Sequence, residues 1–161
     1  MYHPLTRLTA AAAMVAALAA CSEESETGMA SGPEPAEIAE RQDNFESIGD
    51  SFKAIRAQLE TDSPDLARIE TAALDINQRA GNIENHFPTG SGREDGFDTE
   101  ALATIWERPG DFAAAHDKLI QESEELARLA AAGDPAAVGA QVGPLGNSCK
   151  DCHDIFRLDD D

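Results

Sequence analysis

Residues 134–157 read DPAAVGAQVGPLGNSCKDCHDIFR. Asp134-Pro135 is a helix start, a capping carboxylate followed by the proline favoured at the first helical position. Beyond it Val138, Val142, Leu145, Cys149, Cys152 and Phe156 recur at steps of 4, 3, 4, 3 and 4, which is the spacing of one buried helical face. Both thiols of Cys149-Lys150-Asp151-Cys152-His153 therefore lie on that face. Pro144 inside the run removes one backbone hydrogen bond and is expected to kink or divide the helix.

Such a stripe needs partners, and the sequence upstream supplies three. From Ala36 to Leu59 a seam runs through Ile38, Phe45, Ile48, Phe52, Ile55 and Leu59. A second helix is predicted to start at Ser63-Pro64 and run through Leu66, Ile69, Ala73, Ile76, Ala80, Ile83 and Phe87 to a stop at Pro88. Thr89 to Asp98, with Gly90, Gly92 and Gly96, reads as a flexible connection that matches neither a phosphate-binding nor an EF-hand pattern. A third helix is predicted from about Asp111 through Phe112, Ala115, Leu119, Ser123, Leu126 and Ala130 to Gly133. No strand-like alternation occurs, and only 5% of residues are aromatic. The economical architecture is all-α, an antiparallel four-helix bundle.

The 161 residues carry 12 Lys+Arg against 31 Asp+Glu, a net charge of −19. So acidic a surface has no electrostatic basis for sequence-independent nucleic-acid binding and is repelled by an anionic bilayer. Residues 1–20 have the layout of an export signal: Arg7 without a nearby acid, thirteen uncharged residues from Leu8 to Ala20, and small residues at the end. Thirteen helical residues cover only about 20 Å, short of the ~30 Å hydrocarbon core. Leu18-Ala19-Ala20-Cys21 resembles the bacterial lipobox, so Cys21 is expected to carry an acyl anchor, and ordinary cleavage near Ala19 or Ala20 is the alternative. Residues 21–36 read as an acidic tether and 37–161 as the bundle domain, which implies a lipid-anchored periplasmic protein. Removal of residues 1–20 brings the charge to −20.

Two thiols three residues apart on one helical face, with an imidazole directly after the second, suit covalent attachment of a haem to Cys149 and Cys152 with His153 on the iron. Two other readings compete. A redox dithiol normally opens a helix after a strand, and no strand precedes this one. A structural zinc site would need His86 or His116 to complete it, making the chain a zinc-stabilised interaction module. A covalent haem c also supplies the bulky apolar filler that a bundle with one Trp otherwise lacks.

A bundle with C-x-x-C-H near its C-terminus resembles the cytochrome c prime family, the class II cytochromes c. The likeness covers Ile38 to the C-terminus and rests on Arg41-Gln42-Asp43-Asn44-Phe45, Phe87-Pro88, Ile105-Trp106 and Cys152-His153-Asp154-Ile155-Phe156-Arg157. Low-spin relatives place a methionine on the first helix, whereas Met1, Met14 and Met29 all precede the bundle here. The resemblance puts Phe45 on the distal side of the iron, which implies a five-coordinate, high-spin haem open to nitric oxide or carbon monoxide. It also puts Arg41 beside a haem propionate and Arg157 in the proximal pocket. A snorkelling arginine at Arg41 and a cation favouring the helix C-terminus at Arg157 are the plain alternatives. A sixth ligand from His86 or His116, giving a low-spin electron carrier, stays open as well.

The resulting expectation is a non-enzymatic haem protein that binds diatomic gases or transfers single electrons. Its redox partner would present a basic face, its membrane contact would run through the lipid alone, and a homodimer through the first two helices would follow the family habit.

Overall fold

The computed structural model describes residues 32–159. Four long helices, α1 (Ala36–Leu59), α2 (Leu66–Ala80), α4 (Pro109–Ala131) and α5 (Pro135–Phe156), carry the fold, with a single-turn α3 (Thr104–Glu107) between the second and third of them. The described residues contain no strand, only one isolated bridge between Ala101 and Arg157. The expected four-helix bundle is what the chain forms. The export signal, Cys21 and all three methionines lie outside the described residues.

Helix boundaries follow local chemistry. Asp134 caps α5 as expected, its carboxylate accepting from the N–H groups of Ala136 and Ala137 at 3.1 and 3.0 Å. Gly133, at φ 77°, ends the α4 region in a conformation that only glycine adopts freely. The start of α2 differs from expectation. Asp65, not Ser63, is the cap, accepting from Ala67 and Arg68 at 3.1 and 3.2 Å, because a carboxylate two residues further on competes successfully for the same orphan donors. That helix also ends at Ala80 rather than Phe87. Ile83 stays buried in a 3-10 turn, Ile83–His86, so the apolar rhythm continues past the point where the α-helix stops. Pro144 sits inside α5 without dividing it.

The seams meet as their spacing predicts. Ile38, Ile55, Ile69, Ala73, Ile76, Leu126, Val138 and Leu145 are almost wholly excluded from solvent, each large member contributing about 1.5–3 kcal/mol of burial. Amides stitch neighbouring helices: Asn44 donates to Arg79 O (3.2 Å), Asn77 to Ile120 O (2.9 Å), and Gln141 to the Glu122 carboxylate. The packing order is thus α1 on α2, α2 on α4 and α4 on α5. Helices α1 and α5 instead face each other across a cavity.

Candidate functional site

That cavity has a volume of about 810 Å³, within the ~300–1,000 Å³ range of sites that hold a cofactor. One wall is the motif end of α5, with Ser148, Cys149, Cys152, His153 and Phe156. Facing it are Phe45, Ile48 and Phe52 of α1, while Phe112, Ala115 and Leu119 of α4 close the floor. Phe45 and Phe52 are half-buried although they belong to the α1 seam, and both border this space. An aromatic chain crosses it: Phe45 meets Phe87 at 6.3 Å, Phe87 meets Phe112 at 5.1 Å, and Phe112 meets Phe156 at 5.2 Å between centroids, all edge-on.

The motif has the chemistry of attachment rather than redox exchange. Burial pushes both thiols up, Cys152 to about 11 with the neighbouring Cys149 adding to the effect. A redox dithiol depends on the opposite shift. Burial, then the Arg157 cation, lowers the His153 imidazole from its ordinary value, against opposing pulls from Glu100, Asp154 and Asp159. The ring is therefore neutral at pH 7 and has a lone pair to give a metal.

The zinc reading fails on assembly. Among the described residues no group of three or more His, Cys, Asp and Glu side chains converges. His86 and His116 stay with the end of α2. The His116 Nε2 lies 2.7 Å from Ala80 O, and its Nδ1 lies 3.5 Å from Glu84. His116 thus lines the cavity with both nitrogens turned to other partners. The Nδ1 of His86 is buried without a hydrogen-bond partner among the described residues, and His86 does not line the cavity. Neither histidine is poised as a sixth ligand.

Arg41 also borders the cavity, only 3% exposed. Its guanidinium donates to Ser91 O (2.6 Å), Thr99 Oγ1 (2.7 Å), Ser91 Oγ (2.9 Å) and His86 O (3.5 Å), and stacks 4.9 Å from the Phe87 centroid. These acceptors are neutral, so the side chain is neither a snorkelling surface group nor neutralised by a protein carboxylate within ion-pair distance among the described residues. A haem carboxylate would complement it.

The Gly-rich segment is therefore a knitted strap, which corrects the expectation of a flexible connection. Arg41 holds it from α1, and Trp106 Nε1 donates to Phe87 O at 3.1 Å. A Cβ at Gly92 would sit 2.7 Å from the Trp106 ring, so close packing explains that glycine. Arg157, on the motif side, pairs with Glu100. Sequence reasoning brought Cys149, Cys152, His153, Arg41, Phe45 and Arg157 forward, and all six line the one cavity. It missed Phe52 as a wall residue, although Phe52 is in the same seam as Phe45. It also missed Ser91, Thr99 and Glu100, which sit in irregular backbone without a periodic signal.

An apolar cavity with paired thiols and a neutral imidazole on one wall, and at its edge a buried cation that touches no carboxylate among the described residues, fits a covalently attached haem. Comparison with known proteins points the same way. The family model described as Cytochrome C' matches residues 36–157. A cytochrome c′ of Rhodospirillum rubrum is 33% identical over 147 residues, 91% of this chain and 97% of that protein. The solved cytochrome c prime from Shewanella frigidimarina superposes with a TM-score of 0.71 at 32% identity, covering 80% of this chain and 99% of the other. Another solved cytochrome c′, described as having an unusual ligand-controlled dimer dissociation, gives 0.71 at 26% identity over 80% of this chain and 99% of its own.

Proposed function

The chain belongs to the cytochrome c′ family, whose members carry covalent haem c, and we propose that it holds a five-coordinate haem that reversibly binds nitric oxide or carbon monoxide and exchanges single electrons. A haem held by Cys149 and Cys152 would supply a one-electron couple and a metal able to bind a small gas. His153 gives the proximal lone pair, its neutral form secured by burial. Phe45, with Ile48 and Phe52 beside it, would offer only carbon to a ligand on the wall facing the motif, a lining that suits small neutral diatomics. Arg41 stands as the counter-charge to a haem carboxylate while it fixes the strap.

The observation that carries this reading is the wall opposite the motif. No methionine occurs after Met29, and His116, the one histidine bordering the cavity besides His153, has both nitrogens engaged at the end of α2. Titration of the reduced protein with carbon monoxide tests it. A saturable Soret shift at one gas per chain is expected, and an unresponsive spectrum would refute gas binding.

We further propose the arrangement of an export signal over 1–20, a Cys21-anchored tether over 21–36 and a periplasmic domain over 37–161. A domain of such negative charge would not stay at an anionic membrane unaided, which gives the lipid a physical purpose. Mass spectrometry of the mature N-terminus should find an acyl-glyceryl addition on Cys21, and an unmodified terminus removes the anchor. A protein electron partner would present a basic face, and a second copy of the chain is the other partner that the family suggests.

A further inference from the structure

After Phe156 the chain leaves its helix and becomes extended at Arg157, φ −116°, ψ 141°. There it runs antiparallel to the segment before α3. Leu102 N–H donates to Phe156 O (3.1 Å), Leu158 N–H to Glu100 O (2.8 Å), and Thr104 Oγ1 to Ile155 O (2.7 Å). These contacts pair the backbone of Arg157 with that of Ala101 and so bring Glu100 next to it across 57 residues of sequence. The side chains then meet, with Arg157 Nε donating to the Glu100 carboxylate at 2.5 Å. Both line the cavity next to His153.

Each side chain keeps about 45% of its exposure, and a pair so exposed adds little to stability. Its value lies in placement. Arg157 follows His153 by one helical turn, and an unanchored arginine there would extend its head into water. We propose that Glu100 is a positioning residue that holds the Arg157 guanidinium beside His153, so that a fixed cation, rather than a mobile one, acts on the haem iron. This rests on the haem reading above.

The sign of a change in reduction potential separates positioning from simple charge. Deleting a nearby carboxylate should favour the reduced iron. Releasing a nearby cation should favour the oxidised iron. In the haem-loaded full chain, Glu100→Ala is expected to lower the midpoint potential, shifting the reduced-to-oxidised ratio roughly twofold, about 18 mV. In an Arg157→Gln background the same substitution should raise it, because only the carboxylate's charge is then left to remove. Arg128→Gln, a surface charge change on α4, serves as the control and should leave the potential unmoved. Equal rises in both backgrounds, falls in both, or no shift in either would overturn the proposal. Should Glu100→Ala fail to fold, Glu100→Gln keeps the side chain's size, gives up the charge-assisted strength of the contact, and is expected to show the same reversal. Haem content, measured as the pyridine haemochrome, distinguishes the two failures. Absent haem overturns the underlying reading and this proposal with it, whereas a full haem complement with additive shifts overturns only the role of Glu100.

Discussion

Replacing Arg41 with alanine removes a side chain that ties α1 to both ends of the 87–99 strap. Three of its hydrogen bonds are 2.6, 2.7 and 2.9 Å long and come from a charged donor. Bonds of that kind contribute about 1.5–3 kcal/mol each, but they share one guanidinium and do not add. Ser91 is wholly buried and Thr99 nearly so, which leaves their oxygens poorly solvated once the donor has gone. The expected loss is about 3–5 kcal/mol, or roughly 10–20 °C in Tm for a domain of this size. Urea unfolding of the haem-loaded protein, followed by helical circular dichroism, measures it. Arg41→Lys sharpens the test. A lysine keeps the charge but presents a compact ammonium that cannot bridge Ser91 and Thr99 as the planar fork does, so it should lose more than half as much as alanine. A lysine variant as stable as the parent, or an alanine variant within about 1 kcal/mol of it, would refute the reasoning that the fork knits the strap.

Other perturbations follow from single contacts. Phe45→Met should turn the ligand-free reduced spectrum toward low-spin, and an unaltered spectrum would mean that residue 45 does not face the iron. Gly92→Ala drives a methyl into Trp106, 2.7 Å from its ring, and should cost about 1–3 kcal/mol in thermal unfolding; an unchanged Tm would show that the strap yields there. The Glu122 carboxyl is held below its ordinary value of 4.5, first by Lys118 and with help from Gln141. Its stabilising effect is therefore present above about pH 4.5 and fades as pH falls through the lowered folded value. Glu122→Gln should accordingly lower the urea midpoint at pH 7, with a penalty that shrinks as pH falls below about 4.5, and a penalty independent of pH would exclude the ionised contact as its cause.

The helices were readable because burial imposes a period. Ile38, Ile48 and Ile55 on α1, or Val138, Leu145 and Phe156 on α5, can only be explained by an inward face, and the motif rides on the second of these seams. Capping was legible at Asp134 but misread at Ser63, because Ser63 and Asp65, two residues apart, offer the same chemistry and it is Asp65 that caps the helix. The strap was not legible at all. Its order comes from Arg41 reaching 50 to 58 residues along the chain to Ser91 and Thr99, a contact that no local pattern encodes. Glu100 was hidden for the same reason. Its partner is 57 residues away and is brought to it by an isolated bridge rather than by a strand.

The central claim is an iron held by His153 on one side and open on the other. The absorption spectrum of the purified, reduced, ligand-free protein tests it most directly. A five-coordinate iron gives a Soret band with a broad, unsplit visible region typical of a high-spin haem, whereas a sharp α band excludes the open side and the lack of any Soret band excludes the haem.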